Sequence, residues 1–214
     1  MADLTQVAEN VIRGQAPKVK QLVEDNLAEN IPVGKILNEG LIAGMNVVGE
    51  KFKNNEFHIP EVLIAARAMK SGMELIRPLL SESGIEPVGT VAIGTVKGDL
   101  HDIGKNLVMM MLEGAGFEII DLGIDVAVDQ FISAIETDGA QIIAMSALLT
   151  TTMPTMKTVI DEIEEAGLRE HVKIMIGGAP ITQGYADEIG ADGYARDAAS
   201  GVDVAKQLLE LSPA

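Results

Sequence analysis

The chain has 214 residues, 47% of them hydrophobic, which is enough to build one large domain or two small ones around a buried core. The net charge of -16 argues against nucleic acid or an anionic membrane surface as a partner. The chain contains no Cys, which excludes disulfides, thiolate metal ligands and Cys nucleophiles. No stretch has the length and apolarity of a membrane-spanning helix, and no secretory signal is recognisable, so we expect a cytoplasmic protein.

The spacing of apolar residues and the prolines in residues 1–82 predict helices and no strands. Asp3 can cap the first helix, and Pro17, Pro32 and Pro60 each suit the first turn of a further helix. Because the connections between these four helices are short, we expect an antiparallel four-helix bundle.

The segment 81–87 is polar and rich in helix breakers, so a domain boundary is expected between residues 82 and 88. Beyond it, strands and helices alternate. The predicted strands lie near 89–96, 117–122, 140–146, 172–177 and 192–195. The predicted helices lie near 103–115, 128–138, 153–167, 182–190 and 199–211. This alternation predicts an α/β domain of the flavodoxin-like, Rossmann-like class, with a parallel sheet of five strands and helices on both faces.

The loop after the first predicted strand carries Asp99 and His101, at the carboxyl edge of the sheet where open α/β sheets bind ligands. One ring nitrogen of His101 can bind a metal ion while the Asp99 carboxylate holds the other nitrogen. The same residues can also form an ordinary solvent-exposed loop, since short motifs recur by accident. Both interpretations stay open on this motif alone.

Two further loops should line the same crevice. Ser146, Thr150 and Thr152 follow the third strand, where Thr152 is expected to cap the next helix and the other hydroxyls can bond a ligand or the Asp99 carboxylate. Gly177 and Gly178 follow the fourth strand, where they suit either a tight turn or the close approach of a flat ligand. No loop has the glycine spacing of a dinucleotide or P-loop site, which disfavours a nicotinamide enzyme.

The combination Asp99-x-His101-x-x-Gly104, Ser146-x-Leu148 and Gly177-Gly178 resembles the signature of the cobalamin-binding Rossmann-like domain. The helical segments 44–52 and 56–63 resemble the cap bundle that precedes this domain in corrinoid methyltransferase proteins. That family includes the corrinoid proteins of methanol, methylamine and methoxyaromatic methyltransferase systems and the cobalamin-binding module of methionine synthase. The resemblance covers nearly the whole chain.

The resemblance implies a helical cap domain at 1–82 and a cobalamin-binding Rossmann-like domain at 88–214. It implies cobalamin as the cofactor, with His101 as the lower axial ligand of cobalt and Asp99 hydrogen-bonded to His101. It also implies that the Thr152 hydroxyl, where methionine synthase has Ser, completes this hydrogen-bond relay. The cofactor-binding residues that it implies are Asp99, His101, Asp102, Ile103, Gly104, Ser146, Leu148, Thr150, Thr152, Gly177 and Gly178.

The family's function implies a methyl carrier without a complete catalytic site of its own. Cobalt(I) would accept a methyl group from a small donor through one methyltransferase, and a second methyltransferase would pass it to a pterin or thiol. A corrinoid-reactivating protein is a further partner that the resemblance allows, whereas nucleic acid and membrane are not expected. The helical cap would cover the upper face of the corrin.

Three other classes of protein share part of this pattern. The cobalamin subunit of a carbon-skeleton mutase shares the His motif but usually lacks a helical domain such as residues 1–80. A light-sensing cobalamin regulator carries a basic DNA-binding region, which is absent from this sequence. A flavodoxin-like binding module without corrinoid does not require His101.

Overall fold

The computed structural model describes residues 3–211, apart from the side chain of Ser81. The chain divides into two compact units. The helical unit contains the residues up to Val88 together with Gly114–Gly116, and the sheet unit contains Gly89–Glu113 together with the residues from Phe117 onward. Within residues 3–211, no helix is both long and apolar enough to span a membrane.

The helical unit contains four helical segments, as the sequence predicts. They are α1 (Leu4–Ile12), α2 (Ala16–Ala28), a continuous run of α3 (Val33–Lys35), a π-helical stretch (Ile36–Ile42) and α4 (Ala43–Lys53), and finally α5 (Ile59–Glu82). The Asp3 side chain accepts a hydrogen bond from the Thr5 N–H and so caps α1. Pro17 lies in the first turn of α2. The π-helical stretch has no counterpart among the predicted elements.

The third helical segment approaches α1 very closely. A Cβ atom at Gly44 would lie 2.8 Å from Val11 Cβ and 2.9 Å from the Ala8 carbonyl oxygen. Val7 and Val11 of α1 are fully buried in this contact region, and Leu41 is buried as well. The close packing of these helices therefore depends on the absence of a side chain at Gly44.

The sheet unit has five parallel strands in the order β2-β1-β3-β4-β5, which confirms the predicted fold class. The strands are β1 (Thr90–Val96), β2 (Glu118–Val126), β3 (Ile142–Ser146), β4 (Lys173–Gly177) and β5 (Gly193–Ala195). The helices are α6 (Ile103–Gly114), α7 (Val128–Glu136), α8 (Met153–Glu165), α9 (Gln183–Ile189) and α10 (Ala198–Leu208). The strands following β1 lie on opposite sides of it, β2 on one side and β3 to β5 on the other, so the order of connection reverses between β1 and β3, which is where such sheets bind ligands.

The edge strand β2 runs to Val126, whereas the sequence predicts an end near residue 122. Its pairing with β1 shifts between Ile93 and Gly94 and again between Gly94 and Val96. Gly123 and Asp125 have positive φ angles of 85° and 53°, so residues typical of a turn lie inside the strand. These irregularities explain the wrong prediction of the strand end.

Candidate functional site

The candidate site is built on the loop 97–102, which leaves the carboxyl end of β1 at the β1/β3 reversal. The loop turns tightly at once, because the Asp99 N–H donates to the Val96 carbonyl oxygen at 3.1 Å. The fully buried Thr95 hydroxyl donates to the His101 carbonyl oxygen at 2.8 Å and so ties the far side of the loop back to the strand. The loop backbone is therefore fixed at both ends.

The carboxylate of Asp99 is completely buried and accepts hydrogen bonds from two segments of the chain, its own loop and residues 148–152. Its Oδ1 accepts from His101 Nδ1 at 2.7 Å and from the His101 N–H at 3.1 Å. Its Oδ2 accepts from the Leu148 N–H at 2.8 Å, the Leu149 N–H at 3.2 Å and the Thr152 hydroxyl at 2.8 Å. Burial alone raises the pKa of Asp99, but these donors outweigh it and hold the pKa well below its ordinary value. Asp99 is therefore an ionised acceptor.

The imidazole of His101 has one nitrogen fixed and the other available. Because the ionised Asp99 cannot donate, the proton of this hydrogen bond is carried by His101 Nδ1. In a neutral ring the lone pair is then on Nε2, which makes no hydrogen bond to any residue between 3 and 211. The side chain is 51% exposed while that of Asp99 is 0% exposed. This arrangement gives an oriented nitrogen donor at the surface, suited to a metal ion.

Thr152 lies at the N-cap position of α8, but its side chain does not cap the helix as expected. Thr152 has α-helical backbone angles rather than the extended ones of a capping residue, and Pro154 in the first turn has no N–H to offer. The hydroxyl instead donates to Asp99 Oδ2 and also lies 2.9 Å from the Leu149 carbonyl oxygen.

The other predicted site residues of this region differ in what they contact. Leu148 reaches Asp99 through its backbone N–H, whereas the hydroxyls of Ser146 and Thr150 make no hydrogen bond to the carboxylate. Asp102 is exposed and accepts from Asn106 Nδ2 at 3.3 Å within the first turn of α6. Gly104 faces open space, since a Cβ atom there would have no neighbour within 4 Å.

The paired glycines Gly177 and Gly178, at the end of β4, are explained by packing within the sheet itself. Gly178 has a φ of 135°, and a Cβ atom there would overlap the carbonyl oxygen of Ala147. A Cβ atom at Gly177 would lie 3.1 Å from the carbonyl oxygen of Ala195. Packing between neighbouring strand ends is thus sufficient to require Gly178, and contact of either glycine with a ligand stays a prediction.

Large apolar side chains are exposed around the His101 loop. Each of these side chains is close in sequence to a residue that makes a hydrogen bond within or to the His101 loop. They are Leu100, Ile103, Ile124, Leu148 and Leu149, all at least 41% exposed. An apolar surface of this kind around an oriented imidazole suits a large, flat, mostly apolar ligand that carries a metal ion.

Two residues that hold the loop were missed by the sequence analysis. One is Thr95, described above. The other is Asp125, whose Oδ1 accepts from the Gly98 N–H at 2.7 Å and whose own N–H donates to the Asp99 carbonyl oxygen at 3.1 Å. The available signal was the pair Gly123 and Asp125 at the end of an edge strand, because ends of adjacent parallel strands meet at the same sheet edge.

Comparison with known proteins agrees with this geometry. A family described as "B12 binding domain" matches residues 89–203, and a second family with the same description matches residues 4–77. The chain is 45% identical over 206 residues to dimethylamine corrinoid protein 3 of Methanosarcina acetivorans, covering 96% of each chain. It is 43% identical over 194 residues to the trimethylamine corrinoid protein of Methanosarcina barkeri, covering 90% of this chain and 89% of the relative.

Among solved structures, the chain is similar to a chain of the methanol:cobalamin methyltransferase complex of Methanosarcina barkeri, with a TM-score of 0.86 and 26% identity. The match covers 98% of this chain and 80% of that one.

Proposed function

Since the chain belongs to the family of B12-binding corrinoid proteins, we propose that it carries methyl groups between a donor-specific methyltransferase and a second methyltransferase. Its cofactor is cobalamin, and it is a corrinoid methyl carrier that works with a methyltransferase. The division into a helical cap at 1–82 and a cobalamin-binding domain at 88–214 is supported by the ranges of the two family matches, 4–77 and 89–203.

The observation that carries the proposal is the oriented imidazole of His101. Its Nε2 is the nitrogen that would hold the cobalt of cobalamin, because Nδ1 is bonded to the buried Asp99 carboxylate. Thr152 and the Leu148 N–H would keep Asp99 in place, and the exposed apolar side chains around the loop would contact the corrin. When bound, cobalamin supplies a cobalt centre that can accept a methyl group and give it up again.

The role of the protein chain is to hold the proton on His101 Nδ1 and to keep the imidazole ring in one orientation. The Asp99 carboxylate keeps the proton of the imidazole on Nδ1 and so keeps a lone pair on Nε2. The donors on Asp99 keep it from rotating away, because four of them come from backbone N–H groups or from a side chain that is itself buried. Asp102, Ile103, Gly104, Ser146, Thr150, Gly177 and Gly178 would line the remainder of the cofactor site.

For the donor we propose a small methylated amine. The support is that the relatives at 45% and 43% identity are named for dimethylamine and trimethylamine, whereas the methanol complex is only 26% identical. The acceptor of the second transfer would be a pterin or a thiol. A transfer assay with each amine and with methanol, using the matching donor methyltransferase, tests this assignment; methyl uptake from methanol alone would contradict it.

The test of the function itself is anaerobic reconstitution with hydroxocobalamin followed by desalting and an absorption spectrum. We expect one corrinoid per chain with the cobalt bound to histidine instead of benzimidazole. His101→Ala should abolish the histidine-bound spectrum, whereas His171→Ala, which changes an exposed histidine of the same unit, should not. Loss of all corrinoid on desalting of the unaltered chain would contradict the proposal and favour a flavodoxin-like module without corrinoid.

A further inference from the structure

We infer that Asp125, near the end of β2, is a positioning residue that holds the His101 loop in its cofactor-binding conformation. We further infer that the ion pair between the buried Lys105 and the exposed Asp121 holds the end of β2 on which Asp125 lies. The inference deepens the proposed function, on which it rests, because the loop matters only if His101 binds the cofactor.

Asp125 clamps the two residues that lead into the histidine. Its side-chain Oδ1 accepts from the Gly98 N–H at 2.7 Å, and its N–H donates to the Asp99 carbonyl oxygen at 3.1 Å. Gly98 has a φ of 87°, so this is the point at which the chain turns from β1 into the loop. The side-chain bond is charge-assisted and therefore stronger than a neutral one. Asp125 thus fixes the turn that sets the direction of the Asp99 and His101 side chains.

The backbone at Asp125 is itself unusual. Its φ of 53° lies in the left-handed region, which Asp and Asn tolerate better than other residues with a side chain. The pairing of β2 with β1 runs from Gly94 opposite Gly123 to Val96 opposite Val126, so β2 contains one extra residue there. Such a bulge re-aims a side chain, and here it brings Asp125 to the beginning of the β1 loop.

The end of β2 is held in turn by Lys105. This lysine lies in the first turns of α6, and its side chain is only 2% exposed. Its Nζ donates to Asp121 Oδ1 at 2.6 Å, and the same oxygen accepts from the Gly123 N–H at 2.9 Å. The hydrogen bonds therefore link Lys105 of α6 through Asp121 to Gly123, which lies two residues before Asp125.

Three variants separate a positioning role from a merely structural one. Asp125→Gly removes the side-chain acceptor and relieves the positive φ, whereas Asp125→Asn keeps an acceptor oxygen and tolerates the same φ. Asp192→Ala is the matched control, because Asp192 Oδ2 accepts from the Ile174 N–H at 2.7 Å at the opposite edge of the same sheet. Asp192→Ala removes a carboxylate that accepts a backbone hydrogen bond but does not contact the His101 loop.

Two readouts report on the loop instead of on overall stability. One is the ¹⁵N–¹H correlation of the His101 ring in the protein without corrinoid, which reports the proton on Nδ1. The other is hydroxocobalamin affinity together with the histidine-bound absorption spectrum. For Asp125→Gly we expect exchange-broadened ring signals and an affinity lowered about tenfold. Asp125→Asn should recover the affinity to within about twofold, and Asp192→Ala should change neither readout.

Either of two results overturns the role of Asp125: Asp125→Gly with the ring signals and affinity of the unaltered chain, or Asp125→Asn as defective as Asp125→Gly. For the second part, Lys105→Met should lower the affinity about threefold, and no change would overturn that part. If the unaltered chain binds no corrinoid, the proposed function fails, but the ring signals of His101 still decide whether Asp125 holds the loop.

Discussion

Buried polar side chains are arranged differently in the helical unit and in the sheet unit. In the helical unit, Asn10 and Asn26 are buried, and each donates only to a carbonyl oxygen one turn earlier in its own helix, at 2.7 and 2.6 Å. The Asn26 Oδ1 is buried without a hydrogen-bond partner among residues 3–211. Among the described residues, the side-chain amides of these asparagines therefore donate only within their own helices.

In the sheet unit, the buried polar residues all serve one loop and its supports. Thr95 and Thr152 bond to the loop directly, Asp99 lies in it, and Lys105 braces the neighbouring strand end. The donors to Asp99 lie as far as 53 positions along the chain. A buried polar side chain alone therefore does not indicate a functional site. A buried polar side chain whose hydrogen bonds come from distant parts of the chain does.

Asp99→Ala should have the largest effect, because it removes the common acceptor of donors from two segments, the His101 loop and residues 148–152. We expect the free energy of unfolding of the sheet unit to fall by about 3–5 kcal/mol. Urea unfolding followed by near-UV circular dichroism is the measurement, since both tyrosines, Tyr185 and Tyr194, lie in the sheet unit and the chain has no Trp. Asp138→Ala is the control: that side chain is exposed in the turn after α7 of the same unit, so its loss should change the stability by no more than about 0.5 kcal/mol. Equal losses in the two variants would contradict the prediction.

Acid should weaken the sheet unit through the same carboxylate. The pKa of Asp99 is lowered in the folded chain, so the unfolded chain binds a proton first as the pH falls. The stabilisation is complete above the ordinary Asp pKa of about 4 and is lost as the pH falls from there towards the folded value. We expect the tyrosine-monitored stability to fall between about pH 5 and about pH 3, by up to about 1.4 kcal/mol per pH unit for this group. Asp99→Asn should flatten the slope, and an unchanged slope would count against Asp99 as the cause.

The sequence predicted the elements of both units well because most of their signals are local. Apolar runs bounded by glycine gave the strands of the sheet, and prolines gave the helix starts. The end of β2 was wrong because Gly123 and Asp125 look like turn residues, whereas pairing with β1 continues through them as a bulge. The π-helical stretch Ile36–Ile42 has no local signal at all, because a π-helix is set by packing and not by the propensity of its residues.

The candidate site could be predicted only in part, for the same reason. Asp99 and His101 are two residues apart, so their hydrogen bond could be inferred from the sequence. The Leu148 N–H donates to Asp99 across 49 positions, and Asp125 accepts from the Gly98 N–H across 27 positions. The strand order that creates both bonds is a property of the assembled sheet. The family resemblance implied the hydrogen bond of Thr152 to the Asp99 relay, and the structure has it. The prediction that Thr152 caps α8 was wrong, because its hydroxyl bonds to the buried carboxylate beside it.

Glycine to alanine changes should have opposite signs in the two units. Gly44→Ala forces a methyl group against Val11 and the Ala8 carbonyl oxygen, so we expect the helical unit to lose about 1–3 kcal/mol. In Gly104→Ala the added methyl group lies in open space on helix α6. The free energy of unfolding of the corrinoid-free sheet unit should therefore rise by about 0.5–1 kcal/mol. Amide hydrogen exchange resolves the two units separately. Cobalamin affinity should fall in Gly104→Ala despite the gain in stability, and an unchanged affinity would remove Gly104 from the cofactor site.

The smallest effect should come from replacing Asn26, and it is the sharpest test of the contrast between the units. Asn26→Leu removes an oxygen that is buried without a partner, so stability should stay the same or rise by about 1 kcal/mol. The matched change in the sheet unit is Thr152→Val, which removes a buried hydroxyl of the Asp99 network and should cost about 1–2 kcal/mol, while Thr152→Ser should retain the bond. Thermal unfolding monitored by amide signals of each unit gives both values. If Asn26→Leu lowers the stability as much as Thr152→Val, then the Asn26 side chain has a partner, such as a bound water. Buried polar groups would then contribute equally to stability in the two units.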